Sequence, residues 1–203
     1  MTKTFCPGIP GAGKTIMAAT VIDELYARFQ EDSSACIAYF YCNFRRHDQP
    51  EDLLLGLLKQ LAQHRPTFPD MVKDLYNRIT NNPRPPSLEE ISRVLHNVIS
   101  MYTKVFIVID ALDELAIPER KTFLSEIFDL EATTDASFFI ISRFILNISQ
   151  MFEKRPCIEI RASNEDVSRY LDGSMSRLRS FVQSNPELQQ DIKTAIIKAV
   201  GGV

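Results

Sequence analysis

The stretch Gly8-Ile9-Pro10-Gly11-Ala12-Gly13-Lys14-Thr15 constrains this chain more than any other. It reads G-x-x-x-x-G-K-T, the pattern of a loop that wraps a phosphate. Such a loop turns backbone N–H groups inward, and side chains would block the approach, so Gly8, Gly11 and Gly13 suit it. Lys14 can reach the β- and γ-phosphates. At about 4 Å and an effective dielectric near 20, one such charge pair is worth roughly 4 kcal/mol. Thr15 offers a hydroxyl to Mg²⁺. Residues Ile16 to Phe29 have helical spacing, so the positive end of a helix dipole, at Ile16, would face the phosphates. The short run Thr4-Phe5-Cys6 before the loop reads as the end of a strand, the context such a loop needs.

A second stretch supplies the matching carboxylate. Lys104–Asp110 (Lys-Val-Phe-Ile-Val-Ile-Asp) is a β-branched run ending in Asp. It predicts a buried strand that delivers Asp110 at its C-terminal tip, where ligands bind in open α/β sheets. Asp110 is thereby a candidate to hold Mg²⁺ through water. Asp113 and Glu114 follow closely, and a carboxylate near the γ-phosphate can orient or deprotonate an attacking water. They serve equally as negative charge at the start of a helix over Pro118–Leu130. Ser137–Ser142 is another buried strand. Arg143 at its carboxyl end can sense or stabilise γ-phosphate charge, or stand as a surface arginine in a turn.

The rest of the chain fits around these strands. With 203 residues there is room for one α/β domain and part of another. Ala35–Cys42 is a continuous apolar run and reads as a buried strand; 43–49 reads as a polar, basic loop. Leu53–His64 and Phe68–Thr80 have helical spacing. Residues 81–86 hold three prolines and break the chain. Ser87-Leu88-Glu89-Glu90 fits a capping box for a helix running to about Tyr102, with Ile91, Val94, Leu95, Val98 and Ile99 in one stripe. Cys157–Ile160 reads as a last short strand. Residues 161–164 form a boundary. Beyond it come helices from Ser163 to about Leu171, over Arg177–Ser184, and from Asn185-Pro186 to Val200, with Gly201 able to close the last. The expected organisation is a nucleotide-binding domain over 1–162 and the start of a helical lid over 163–203.

Charge and cysteines narrow the function classes. The net charge of −3 gives no argument for nucleic acid or an anionic membrane surface. The longest apolar runs are far too short to span a bilayer, and no secretory signal is expected. Cys6, Cys36, Cys42 and Cys157 form no C-x-x-C pair, and each sits in or beside an apolar run. Buried reduced thiols and a cytoplasmic setting are expected.

Taken together and in order, several segments resemble the NACHT-type module. They are Cys6-Pro7 with the Gly8–Thr15 loop, Tyr39-Phe40-Tyr41-Cys42, Leu57-Leu58-Lys59-Gln60-Leu61, Asp110-Ala111-Leu112-Asp113-Glu114, Ile141-Ser142-Arg143 and Asn164-Glu165-Asp166-Val167-Ser168-Arg169-Tyr170-Leu171. More closely, they are similar to the nephrocystin-like N-terminal module of fungal multidomain receptors. Each segment beyond the phosphate loop is loose; the ordered set is specific. The resemblance implies a three-layer α/β/α P-loop NTPase with a parallel five-stranded core, the Arg143 strand lying between the phosphate-loop and Asp110 strands. It implies a STAND-class switch that binds ATP or ADP with Mg²⁺, hydrolyses ATP slowly, and self-associates on activation. Effector and repeat domains are expected in the full-length protein. The nucleotide contacts would be Gly8, Ile9, Pro10, Gly11, Ala12, Gly13, Lys14, Thr15 and Ile16. Thr15 and Asp110 would hold Mg²⁺, Asp113 or Glu114 the water, and Arg143 would be the sensor.

The departures matter too. Ala111 stands where many related ATPases place a catalytic Glu, although the NACHT type has a small residue there and shifts the acid pair. Phe144 replaces a frequent Pro. The family runs on into further helices and a winged-helix domain that supplies a histidine to the nucleotide; His47, His64 and His96 do not match it. The chain therefore reads as a truncated switch core. A GTPase would carry N-K-x-D and D-x-x-G, both absent, with Asp113 at the Gly position. A small-substrate kinase using Arg177 and Arg179 as lid residues, a motor-type ATPase, and a scaffold without nucleotide are the competing readings.

Overall fold

The computed structural model describes residues 4–81, 84–153, 155–161 and 163–201. The chain divides into two compact units, Met1–Ile160 and Arg161–Val203. The first holds a parallel four-stranded sheet. Its strands are β1 (Thr4–Pro7), β2 (Ala35–Tyr41), β3 (Lys104–Asp110) and β4 (Ala136–Ser142), in the order β1-β4-β3-β2. The strand that ends before Arg143 thus lies between the phosphate-loop strand and the Asp110 strand, as expected. Register partners include Cys6↔Ile141 and Tyr41↔Asp110, so the strand ends that carry the motifs share one edge of the sheet.

The alternation of side chains along each strand sorts the core onto two faces. On one face Cys6, Val108, Ile141 and Ile160 pack with Ala18 and Ile22 of α1 (Lys14–Phe29), and Phe29 stacks on Phe106 at 5.0 Å. On the other, Phe5, Val105, Ile107, Ile109, Phe138 and Ile140 meet α2 (Pro50–Gln63), α4 (Leu88–Ile99) and α5 (Ile117–Thr133). α2 buries Leu53, Leu54, Leu57, Leu58 and Leu61, and each fully buried leucine contributes roughly 1.5–3 kcal/mol. α3 (Asp70–Asn81) adds Val72 and Leu75 to the same cluster. Helices thus cover both faces of the sheet. The capping box forms as the sequence indicates. Ser87 Oγ accepts the Glu90 N–H at 3.3 Å, and the Ser87 N–H donates to Glu90 Oε2 at 3.0 Å. That helix stops at Ile99, earlier than the expected Tyr102, with Ser100 closing it. Residues 82 and 83 of the proline-rich break, and residues 1–3, 202 and 203, lie outside the described residues.

Four expectations need correction. Among the described residues the sheet has four strands, where five were expected. Residues 157–160 do run beside β1, through parallel bridges Phe5↔Cys157 and Gly8↔Ile160. The Phe5 N–H donates to Pro156 O, Ile158 N–H to Phe5 O, and Ile160 N–H to Pro7 O. The missing rung would need an N–H on Pro7, which proline lacks, so a continuous ladder breaks into two isolated bridges. Cys157 is exposed, while Cys6, Cys36 and Cys42 are buried as expected. A short helix, α6 (Leu146–Met151), follows Arg143 where none was foreseen. It buries Ile148, and Phe152 just beyond it stacks on Phe5 at 4.3 Å. Arg155 then lies 3.8 Å over the Phe128 ring and pairs with Glu131 at 2.6 Å, holding this return segment against α5.

The second unit is all-helical. It comprises α7 (Asn164–Ser174), a 3-10 turn Met175–Arg177, α8 (Ser180–Gln183) and α9 (Pro186–Gly201). Ser163 caps α7 by accepting the Asp166 N–H at 3.0 Å. The fourth correction falls here. Residues 177–184 are not one helix, because Leu178 is extended at φ −79 and ψ 168. An ion pair from Lys193 to Asp172 ties α9 to α7, and Leu171, Met175 and Val182 are buried. Among the described residues, no helix is long and apolar enough to cross a membrane.

Candidate functional site

The loop between β1 and α1 carries its glycines for two different reasons. Gly11 and Gly13 have φ of 81 and 85, the left-handed region that other residues enter only with strain. Gly8 is needed for close approach, since a Cβ there would stand 2.7 Å from the Ile160 carbonyl oxygen. The segment bridged to β1 therefore packs directly under the loop. Gly13 caps α1 with no side-chain hydrogen bond, and the first turn of α1 holds no acidic residue. The N–H groups of Lys14, Thr15 and Ile16 fall in that first turn, where a helix leaves its donors without intrahelical partners. An uncapped, acid-free helix start at the end of a glycine loop fits an anion. Thr15 and Ile16 are exposed there.

Lys14 folds back over its own loop. Its Nζ donates to the carbonyls of Gly8 at 2.9 Å and Ile9 at 2.7 Å. Burial is the main cause that lowers its pKa from the usual lysine value, and the charge of Arg143 acts in the same direction; Asp113 and Asp110 oppose them. The amine is thus in electrical contact with all three motif residues across the sheet edge.

Asp110 is buried at the tip of β3, and its Oδ1 accepts the Ala111 N–H at 2.8 Å. By strand alternation its side chain lies on the α1 face, the side of Thr15. Thr15 and Asp110 are a hydroxyl and a carboxylate, the oxygen donors that suit Mg²⁺. Ala111 then takes a left-handed step at φ 56 and ψ 40. That step carries the chain into a 3-10 turn, Leu112–Glu114, which packs against β4.

The turn brings Asp113 under Arg143. Asp113 Oδ1 accepts the Arg143 N–H at 2.7 Å and the Ser142 hydroxyl at 3.3 Å, and Oδ2 pairs with Arg143 Nε at 3.1 Å. Glu114 Oε1 lies 4.0 Å from the same guanidinium, while its Oε2 accepts the Phe44 N–H at 3.3 Å. Lys14, Asp110, Asp113, Glu114 and Arg143 therefore gather at one edge, as the sequence indicates. Asp113 and Glu114 hold Arg143 and the loop after β2 there. Of the loop residues, Pro10 and Gly11 are exposed, and Ile9 and Ala12 are half-buried.

One charged neighbour escapes the motifs. Arg120 on α5 is 5% exposed and reaches the Leu115 carbonyl and Asn147 Oδ1, both at 3.4 Å. Burial lowers its pKa, and Asp113 is the charge that opposes the shift. Arg120 stands one turn ahead of Phe123, Leu124, Ile127 and Leu130 on the buried stripe of α5, the one signal that could have drawn attention to it.

The nephrocystin 3, N-terminal family matches residues 2–143, from the first strand to the arginine after β4. The chain belongs to that family. This nephrocystin-like P-loop NTPase module shares its fold with solved P-loop ATPases. The ORC1 protein of Aeropyrum pernix, solved in complex with DNA, aligns at 18% identity and TM-score 0.57 over 87% of this chain and 44% of its own. The ORC2 protein of Aeropyrum pernix, solved with ADPNP and ADP, aligns at 15% identity and TM-score 0.53 over 89% of this chain and 47% of its own. A Walker-type ATPase of Pyrococcus abyssi gives 14% identity and TM-score 0.52, over 96% of this chain and 57% of its own. The nephrocystin-like chain thus spans less than half the length of the two Aeropyrum proteins. No curated protein matches the chain by sequence.

Proposed function

We propose that this chain is the nucleotide-binding core of a STAND-class, NACHT-type switch of the kind found in fungal NOD-like receptors. It binds ATP or ADP with Mg²⁺ and hydrolyses ATP slowly. Residues 8–16 cradle the phosphates, and Lys14 exchanges its carbonyl partners for phosphate oxygens. Thr15 and Asp110 hold Mg²⁺, whose charge draws the phosphate oxygens into the site. Arg143 meets the γ-phosphate. Residues 163–203 begin a helical lid, effector and repeat domains complete the full-length protein, and self-association accompanies activation.

The observation that carries the slow-turnover part is the state of the two acids. Both Asp113 oxygens are engaged by Ser142 and Arg143, and a Glu114 oxygen by the Phe44 N–H. A general base needs a carboxylate oxygen within hydrogen-bond reach of the water. Three of these four carboxylate oxygens already hold protein hydrogen-bond donors, so turnover is expected well below the ~10 s⁻¹ typical of enzymes. Single-turnover phosphate release from bound Mg-ATP tests this directly. Slow release with retention of ADP is the expected outcome. Rapid multiple turnover, or phosphate transfer to an added nucleoside, would point instead to a motor-type ATPase or a kinase.

A further inference from the structure

Between α2 and α3 lies a groove of about 560 Å³, lined by no residue of the candidate nucleotide site. Leu58, Val72 and Leu75 are buried in its floor, and Leu55 and Ile79 stand half-buried in its walls. Phe68 and Tyr76 are 41% and 68% exposed on its rim. A helix as short as α3 is marginal in water and takes its stability from packing its apolar face. α3 buries Val72 and Leu75 and leaves Tyr76 in solvent. Two large aromatic side chains edging one apolar groove form a contiguous patch, and such patches mark interaction sites where scattered surface hydrophobics do not.

The groove follows its two helices rather than crossing them. Val72, then Leu75 with Tyr76, then Ile79 recur at i, i+3/i+4 and i+7 on α3, and Leu55, Lys59 and Gln63 at i, i+4 and i+8 on α2. At 1.5 Å per residue each wall is roughly 10–12 Å long, about two turns of helix. A third helix suits such a seam, because its own i, i+3/i+4, i+7 side chains form a ridge that enters it. The charge along the seam has one sign. Lys59 on α2 and Lys73 on α3 are the charged residues of the lining, and both are exposed. Lys73 pairs with Asp70 at 3.0 Å, but an exposed pair contributes little and its ammonium is open to a second carboxylate. We infer that the groove between α2 and α3 docks an amphipathic helix of a partner protein, whose apolar stripe fills the groove and whose acidic flanks meet Lys59 and Lys73.

The two kinds of lining residue have separable effects. Aromatic anchors carry affinity in such interfaces. Rim charges choose between partners and speed their encounter more than they add affinity. Loss of the Tyr76 ring should therefore weaken any helix in the groove. Reversal of the two lysines should change which helix is preferred.

Fluorescence anisotropy of the full chain with two labelled peptides decides the matter. Both are helix-forming peptides of about 15 residues, with leucines at i, i+3, i+7 and i+10; one carries glutamates on both flanks of that stripe, the other lysines. The Glu-flanked peptide should bind saturably and roughly fivefold or more tighter than the Lys-flanked one. Tyr76→Ala, at an exposed position, should keep the melting temperature and weaken both peptides about tenfold. Lys59→Glu/Lys73→Glu should invert the preference. Absence of saturable binding by the Glu-flanked peptide, equal affinity for the two peptides, or affinities unmoved by Tyr76→Ala overturns the inference. Light scattering of the chain alone and titration with dodecanoate address other occupants. Self-association that Tyr76→Ala abolishes would assign the groove to a second copy, and dodecanoate binding without peptide binding would assign it to a small amphiphile. Either result also overturns the inference.

Discussion

Cys6, Cys36 and Cys42 show how burial sets chemistry residue by residue. Burial pushes the Cys6 thiol up from 9.0 to about 12 and the Cys36 thiol to about 11, and it raises Cys42 as well. In the unfolded chain these thiols return to the ordinary value. Above that value the unfolded state has already lost protons that the folded state keeps, so stability falls as pH rises. The contribution is whole below the ordinary thiol range and is lost progressively toward the raised folded values. Denaturant midpoints measured at about pH 8 and about pH 10.5 should therefore fall toward the alkaline side. A Cys6→Ala/Cys36→Ala/Cys42→Ala variant should show a smaller drop. Identical pH dependence in the two proteins would contradict the assignment. Cys157 is exposed, yet burial and then the Glu159 charge raise its thiol in the same direction, so the triple variant keeps part of the effect.

Among the described elements, β2 has an exposed edge to manage. It lies at the end of the β1-β4-β3-β2 order, and an unpaired strand edge invites association with another chain. Gln60 of α2 answers that at Tyr39. Its Oε1 accepts the Tyr39 N–H at 3.0 Å, and its Nε2 donates to the Tyr39 carbonyl at 2.8 Å. One side-chain amide thus imitates a neighbouring strand. Gln60→Ala should cost about 1 kcal/mol of stability, the net worth of such bonds being roughly 0.5–1.5 kcal/mol each and water replacing part of it. It should also raise concentration-dependent light scattering; unchanged stability and scattering would remove Gln60 from this role. Sequence reasoning found the strands β2 and β3 because each carries a long apolar run, and Ala35–Ala38 and Ile107–Ile109 within them are buried on both faces. It missed α6 because six residues that include Asn147, Ser149 and Gln150 carry no helical stripe. It placed a fifth strand at 157–160 because the apolar pattern there is real, while the rung that fails lies in Pro7, on the partner strand.

For the molecule as a whole, the motifs marked which strand ends would meet at the candidate site, and tertiary structure supplied the contacts among them. Loop, Asp110 and Arg143 were legible because each sits at a strand or helix end, where type and spacing carry meaning. The engagement of Asp113 by Arg143, the left-handed step at Ala111 and the buried Arg120 were not, since each depends on contacts between residues far apart in the chain. The exposed helix start at Thr15 and Ile16, the back-folded Lys14 and the carboxylates at the ends of β3 and its following turn all bear on one question, whether this edge holds a nucleotide. Isothermal titration of the purified chain with Mg-ATP, Mg-ADP and Mg-GTP, beside the Lys14→Ala variant, answers it most directly. Lys14 sits at a loop–helix junction and among the described residues bonds to its own loop's carbonyls, so the variant should keep the melting temperature of the nucleotide-free protein. Saturable binding of ATP and ADP, weaker binding of GTP, and a loss of tenfold or more in Lys14→Ala are expected, given charge-assisted bonds of roughly 1.5–3 kcal/mol. No ATP or ADP binding by the unaltered chain, or undiminished affinity in a folded Lys14→Ala protein, would contradict the nucleotide-switch assignment.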